Sequence, residues 1–192
     1  MTTRSRTRAL GAAASLAAVM VLISACSDPE PQPPVTSSST TTTTSTSTTT
    51  TSTPPPLTPA EKDLKSAEET IGRYWQVLDQ LAADPKKSLN LVATVARGQA
   101  AMQSRSTLGT YQAKGWTLRG QTVVTSPAAT TKDGKTFAVS ACVDVSKVNI
   151  VDKAGKSVVR SGRPDQQRYS YTVVKAPQGF FVTVDTLKGK PC

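Results

Sequence analysis

Hydrophobic residues recur at helical spacing soon after the first third of the chain. The run is preceded by Thr58-Pro59-Ala60-Glu61, which offers a capping residue, a proline suited to the first helical position and a glutamate for a capping box. This pattern predicts a helix that ends near Asp84-Pro85, then helical stretches around 89–95 and 100–111. The apolar positions of the first helix are Leu64, Ala67, Ile71, Trp75, Leu78 and Leu81.

A period of two replaces the helical spacing in the second half of the chain. Apolar and polar residues alternate over 137–145, which predicts a strand with one buried face. Asp133-Gly134 is a turn signal, so residues 117–125 are predicted to pair with that strand. Helices followed by antiparallel strands predict an α+β fold. The other predicted strands are 148–151 and 157–160 as a short hairpin, one through Tyr169, Tyr171 and Val173, and a last one through Phe180, Val182 and Val184.

The N-terminal segment has the polarity pattern of an export signal. Arginines at positions 4, 6 and 8 precede an uncharged stretch over 9–25, which suits a signal peptide and is short for a membrane-spanning helix. The stretch ends in Ile23-Ser24-Ala25-Cys26, which resembles the bacterial lipobox. The resemblance implies that residues 1–25 are cleaved and that Cys26 carries a lipid. An ordinary secretory signal with an incidental cysteine is the alternative.

Most of the segment after Cys26 lacks apolar residues with which to form a core. Residues 36–53 are all Ser or Thr, and prolines flank them. Ordering such a stretch could not be offset by burial, so we predict a disordered tether over 26–57. Two interpretations of the tether remain open: an O-glycosylated stalk and an unmodified spacer. The folded domain is then 58–192, about 135 residues, near the commonest domain size.

Charge and composition narrow the possible partners and chemistry. Lys and Arg total 23 against 13 Asp and Glu, a net charge of +10, which suits anionic partners. An exported chain rarely meets nucleic acid, so we expect no nucleic-acid partner. Anionic envelope material is the preferred partner. Histidine is absent, which removes the commonest general base and metal ligand. We therefore expect no metal, no cofactor and little capacity for catalysis.

Several short stretches resemble a known family. They are 111–116, 141–145 and 189–192. Residues 58–192 resemble the cone-shaped α+β roll of nuclear transport factor 2-like domains, and in particular small lipoproteins of that superfamily from actinobacteria and their phages. The resemblance implies N-terminal helices packed on a curved antiparallel sheet. Enzymes of the superfamily commonly place His and Asp inside the cone, and this chain has no His, so we expect no enzyme.

Two cysteines remain if Cys26 is acylated. Cys142 lies opposite the apolar face of its strand, where the tail carrying Cys192 could cross. An oxidising compartment favours a disulfide between them, closing a loop of about 50 residues. A redox or metal pair is the alternative, and the absence of Cys-x-x-Cys disfavours it.

Other polar and aromatic residues have mostly structural interpretations. By alternation, Asp144 and Asp185 should face away from the cone as solvated or ion-paired groups. Trp75 and Tyr111 are expected in the core rather than stacked on a ligand. A basic stretch is either a solvated surface or a contact for anionic envelope material. It comprises Lys147, Lys153, Lys156, Arg160, Arg163 and Arg168.

Three functional hypotheses follow. The first is a non-enzymatic binding or interaction module, lipid-anchored outside the bacterial cell membrane, whose partner is an envelope protein, a polymer or a small apolar ligand in the cone. The second is a small enzyme that uses Asp or Tyr in the cone. The third is a prophage-encoded lipoprotein that blocks infection by related phages, which the family resemblance alone implies.

Overall fold

A computed structural model describes residues 56–189 and residue 192. Within these residues, helices come first and strands follow, as predicted. The signal segment 1–25, Cys26 and the tether up to residue 55 lie outside the described residues. No helix in the described part is long and apolar enough to cross a membrane. The elements are α1 (Pro59–Ala83), a 3₁₀ helix (Leu89–Thr94), α2 (Gly98–Lys114), β1 (Thr117–Arg119), β2 (Val123–Thr131), β3 (Thr136–Asp144), β4 (Asn149–Val151), β5 (Gln166–Ala176) and β6 (Gly179–Leu187).

α1 begins and ends where the sequence predicted. The Thr58 hydroxyl accepts a hydrogen bond from the backbone N–H of Glu61 (3.3 Å), and the Glu61 carboxylate accepts from the backbone N–H of Thr58 (2.7 Å), completing the capping box. The C-cap, Asp84, has an extended backbone, because the following residue, Pro85, disfavours a helical conformation in the residue before it. The side chains that α1 buries are Ala67, Thr70, Ile71, Tyr74, Asp79, Leu81 and Ala82.

The strands form two antiparallel sheets. β2, β3, β5 and β6 pair in the order β2-β3-β5-β6, and β1 pairs with β4. The predicted pairing of residues 117–125 as one strand was therefore wrong in part. Val123–Thr125 do pair with β3, but Thr117–Arg119 belong to β1 and pair with β4. The hairpin predicted over 148–160 is present only in part: β4 forms, but residues 157–160 form no strand and are joined to β4 by an isolated antiparallel bridge between Val151 and Ser157.

A sharp change of direction at Gly120 separates β1 from β2. Its φ is 90°, and a Cβ at this position would lie 1.8 Å from the carbonyl oxygen of Lys147. Only glycine fits this conformation and this close approach. The backbone therefore leaves β1 and enters a different sheet, which strand periodicity alone could not indicate.

β3 keeps strict alternation, and its inner face joins the main core. Phe137, Val139, Ala141 and Val143 are all buried. The first three pack in one cluster with side chains from α1 and α2. The inner face of the sheet is thus the one that the helices cover, and the outer face is the opposite one.

β6 does not keep strict alternation. Its register against β5 shifts between Val182 and Val184, so that Thr183 is an extra residue, a β-bulge. Beyond the bulge the two faces exchange: Val184 is 39% exposed, whereas Asp185 is only 8% exposed. The prediction that Asp185 faces away from the cone was wrong, because one inserted residue reverses the orientation of those that follow.

The bulge lies where β6 meets the segment between the 3₁₀ helix and α2. The backbone N–H of Val182 donates to the carbonyl of Val95 (3.0 Å), and the N–H of Arg97 donates to the carbonyl of Val182 (2.9 Å). Ala96 completes a parallel bridge with Val182. These long-range contacts fix the edge of β6 beside the start of α2.

The disulfide prediction is confirmed. Cys142 and Cys192 are bonded, with their Cα atoms 5.8 Å apart. Arg168, which pairs with Cys142 across β3 and β5, donates from Nη2 to the carbonyl oxygen of Cys192 at 3.0 Å. Both contacts hold Cys192 against β3 and β5.

Candidate ligand-binding cavity

A cavity of about 290 Å³ lies between the helices and the strands, and we call it the cone cavity. α1 and α2 form one side, and β1, β4, β5, β6 and the loops around β4 contribute the rest. Its apolar and aromatic lining consists of Tyr74, Trp75, Leu78, Ala82, Leu108, Tyr111, Leu118, Val145, Val148, Ile150 and Tyr169. Its polar lining consists of Asp79, Gln103, Ser104, Thr107, Thr122, Arg163 and Asp185.

Aromatic side chains that contact one another form much of the apolar wall. Trp75 packs edge-on against Tyr169 with ring centroids 5.5 Å apart, and its indole N–H donates to the Tyr171 hydroxyl at 2.8 Å. Tyr111 packs against Trp116 at 5.8 Å. Trp75 and Tyr111 pack against the core, as predicted, but they also line the cavity. This wall suits a flat or aliphatic part of a ligand.

A buried chain of hydrogen bonds forms one polar part of the cavity. The Tyr74 hydroxyl donates to Asp185 Oδ2 at 2.5 Å and lies 2.9 Å from Ser104 Oγ. Ser104 Oγ in turn donates to the backbone carbonyl of Ala100 at 2.8 Å. The side-chain oxygen of Gln99 accepts the backbone N–H of Asp185 at 3.1 Å, which fixes the strand beyond the bulge.

The environment of this chain changes the acidity of its members. Burial raises the pKa of Asp185, and the hydrogen bond from Tyr74 opposes part of that rise. Burial also raises the pKa of Tyr74, and its contact with Asp185 adds to the rise. Asp185 Oδ1 is buried and has no hydrogen-bond partner among the described residues. Such a group costs about 1–3 kcal/mol if nothing satisfies it.

Both oxygens of a second carboxyl in the cavity wall accept hydrogen bonds within the domain. Asp79 Oδ2 accepts the backbone N–H of Thr122 at 2.7 Å, and its Oδ1 accepts the Thr122 hydroxyl at 2.8 Å. Burial raises the pKa of Asp79, against the effect of these two bonds. Asp79 therefore ties α1 to the start of β2. Across residues 56–189 and 192, no group of three or more His, Cys, Asp and Glu side chains could hold a metal ion.

Arg163 lies in the cavity wall rather than on an open basic surface. Its Nη2 donates to the carbonyls of Val145 (2.8 Å) and Val148 (2.7 Å), which holds the loop after β3. Its Nε is buried and lacks a partner within the described part of the chain. Arg163 thus presents a cation to the same cavity that Asp185 lines.

The residues of the predicted basic stretch differ in their exposure to solvent. Lys147, Lys153, Lys156 and Arg160 are exposed, whereas Arg168 is half-buried beside Cys192. A contact of these residues with anionic material stays a prediction. Asp144 faces away from the core, as predicted, and accepts bonds from the backbone N–H and hydroxyl of Ser146 at 2.9 and 2.6 Å.

Sequence reasoning missed the polar chain of the cavity. Tyr74 follows Ile71 by three residues on the apolar spacing of α1, so its place in the core was open to inference. Ser104 carries no comparable signal. Asp185 was assigned to the wrong face because no local residue marks the bulge at Thr183.

These features define a class: a small α+β roll domain, with helices covering one face of a curved antiparallel sheet and a partly polar cavity between them. No protein-family model matches the sequence. No curated protein sequence matches it significantly.

Solved structures of similar fold exist at low sequence identity. A protein of Novosphingobium aromaticivorans, described as a candidate aromatic ring hydroxylase, is 17% identical over 66% of this chain and 87% of its own, with a TM-score of 0.50. The intermembrane-space region of a chloroplast protein is 16% identical over 69% of this chain and 98% of its own (TM-score 0.49). A nuclear transport factor 2-like protein with a cystatin-like fold, also from N. aromaticivorans, is 16% identical over 67% and 84% (TM-score 0.40). The first similarity supports the fold alone, and the two lower scores add no argument.

Proposed function

We propose that the chain is a lipid-anchored binding module outside the bacterial cell membrane, and that it holds a small molecule in the cone cavity. The observation that carries the proposal is the cavity itself. Its volume of about 290 Å³ lies near the lower end of ligand pockets, about 300–1,000 Å³, and aromatic walls surround a few polar groups, as in such pockets. The domain therefore has the form of a receptor for a compact ligand.

The anchor is supported by the sequence before the described domain. The uncharged run ends in Ile23-Ser24-Ala25-Cys26, which resembles a lipobox, and the Ser/Thr-rich tether follows. Detergent partitioning of the wild type and of Cys26→Ser, expressed in an actinobacterial host, tests this part. We expect the wild type in the detergent phase and the variant in the aqueous phase. A soluble, unacylated wild type would show that the chain has no lipid anchor.

The ligand site can be tested by closing the cavity without disturbing the core. Thr107 is exposed on α2 and lines the cavity, so Thr107→Trp places a bulky ring at its edge. Thr110 is exposed on the same helix and does not line the cavity, so Thr110→Trp is the matched control. Native mass spectrometry of gently purified protein should find a small molecule on the wild type and on the control but not on Thr107→Trp. Equal retention by all three proteins would place the ligand elsewhere.

The exposed basic residues offer a different contact, which the same preparation can examine. Charge reversal at Lys153, Lys156 and Arg160 should leave the cavity ligand in place, because none of the three lines the cone cavity. If reversal removes the partner and Thr107→Trp does not, the partner is anionic and binds the surface. Added salt should then weaken that contact, since it is screened over about 10 Å at 0.1 M.

A small enzyme of the same fold is the second candidate, and the environment of Asp185 favours it. A buried carboxyl with a raised pKa and one unpartnered oxygen has the character of an acid–base group. The chain has no histidine to share proton transfer, and the raised pKa of Tyr74 keeps its hydroxyl protonated. Binding predicts that the retained molecule is recovered chemically unchanged after long incubation. Turnover that Asp185→Asn abolishes would establish the enzyme instead.

A further inference from the structure

We infer that the ligand of the cone cavity is a small dipolar molecule, with a hydrogen-bond donor such as an amine for Asp185, an oxygen acceptor such as a carboxylate for Arg163, and an apolar body between them. The inference rests on the proposed function, because it names the chemical class of ligand for the same cavity. It depends on which polar groups of the domain lack partners.

The domain leaves very few buried side-chain groups unpaired. Among the described residues, the buried side-chain nitrogen and oxygen atoms without a hydrogen-bond partner are Asp185 Oδ1 and Arg163 Nε. Both residues line the cone cavity. Because buried polar groups are nearly always hydrogen-bonded, two unpaired atoms at one cavity call for an explanation. A ligand that supplies both partners is the explanation that the shared location favours.

The two groups are complementary in kind. Asp185 offers an acceptor from the side formed by α1, α2 and β6, where Tyr74 holds its other oxygen. Arg163 offers a donor from the loops around β4, where its Nη2 is held by the carbonyls of Val145 and Val148. Each side chain is thus held by hydrogen bonds at one atom, Oδ2 of Asp185 and Nη2 of Arg163. In the described part of the domain, Asp185 Oδ1 and Arg163 Nε are left without a partner. Both free atoms are buried, so the inferred binding requires each side chain to reorient when a ligand enters the cavity.

The rest of the cavity lining includes a large apolar and aromatic part. Trp75, Tyr111 and Tyr169 line the cavity, and among the described residues none of the three is hydrogen-bonded to Asp185 or Arg163. They provide surface for an aliphatic or aromatic body. A molecule with a single charge would leave either Asp185 or Arg163 unpaired, which is the basis of selection against it.

Matched probes can test the ligand class without knowledge of the natural ligand. The protein is the full-length chain with Cys26→Ser, which keeps every residue of the domain and lacks the thiol for acylation. The probes are ω-amino carboxylates of increasing chain length, with alkylamines, alkanoates and alkanols of the same lengths. Affinity is measured by calorimetry and by the emission of Trp75 and Trp116. We expect one chain length at which the amino carboxylate binds at least tenfold more tightly than the matched amine, acid or alcohol.

Two substitutions separate the ends of the ligand. Asp185→Asn should remove the advantage of the amino carboxylate over the alkanoate. Arg163→Met should remove its advantage over the alkylamine, and Arg163→Lys, which keeps the charge but lacks Nε, should weaken it if the Met variant does not fold. Asp144→Asn and Lys156→Met are controls outside the cavity and should change neither ratio.

The outcomes distinguish this inference from the proposed function. If singly charged or uncharged probes bind as tightly as the amino carboxylates, and Thr107→Trp blocks them, the cavity is a ligand site but the dipolar class is wrong. Water then satisfies the two free atoms. If no probe of any class binds, the cavity does not hold small ligands, and both proposals fail.

Discussion

β3 and β6 have similar alternating patterns, and each carries an aspartate near its end, but the two aspartates lie in opposite environments. Asp144 continues the regular alternation of β3 and bonds to Ser146 on the outer side. Asp185 follows the bulge in β6 and is buried against Tyr74. The comparison teaches that alternation assigns faces only while the register is unbroken. One extra residue turned a predicted surface carboxyl into part of the cavity wall.

The largest expected effect tests the bulge directly. Val182 is fully buried, whereas Val184 is 39% exposed, although unbroken alternation would place both on one face. Val182→Asp should lower the free energy of unfolding by more than about 3 kcal/mol, because it buries an unpaired charge. Val184→Asp should change it by less than about 1 kcal/mol. Urea unfolding measures both, and equal losses would mean that β6 has no bulge.

The second prediction concerns the disulfide on β3, the strand with unbroken alternation. Cys142 lies on the outer side of β3, two residues before Asp144, and reaches Cys192 there. Replacing both cysteines by serine should lower the free energy of unfolding by about 2–4 kcal/mol, since the unfolded chain loses a crosslink. The circular dichroism spectrum should keep its helix and sheet signals. Two freely alkylated thiols in oxidised protein from the envelope would contradict the pairing.

A smaller effect is expected in the pH dependence of stability at Asp185. Burial raises the pKa of Asp185 above its ordinary 3.8, so the folded state holds the proton more tightly than the unfolded state. Its stabilising contribution is complete below pH 3.8 and is lost as the pH rises through the folded-state pKa. The stability of the wild type relative to Asp185→Asn should therefore fall as the pH rises above about 4. A difference that rises with pH would mean that the carboxylate is stabilised as an ion.

The smallest effect, of opposite sign, is expected at Asp144. Hydrogen bonds from Ser146 and Gln166 lower the pKa of Asp144 below its ordinary 3.8. Its contribution is present above that pH and is lost as the pH falls through the folded-state pKa. Wild-type stability relative to Asp144→Asn should therefore fall on acidification below pH 3.8. Parallel pH profiles for the two Asn variants would remove the contrast between the strands.

Local sequence signals predicted much of the fold and little of the cavity. The capping box at Thr58 and Glu61, and the alternation of β3, depend on residues close in sequence, and both were confirmed. The partner of Thr117–Arg119 was assigned wrongly because strand pairing depends on distant segments. The Tyr74–Asp185 bond joins residues on α1 and β6, and no spacing within either element reports it.

The sequence by itself determined the ends of α1, the period of β3 and the α+β class, because each follows from local patterning. Tertiary structure decided which side chains meet at the cavity. The contacts of Val95 and Arg97 with Val182 fix the edge of β6 at its bulge. Beyond that bulge, Asp185 lies on the inner side and lines the same cavity as Arg163. Such contacts depend on how the helices pack on the sheet, and packing is a property of the whole domain rather than of any segment.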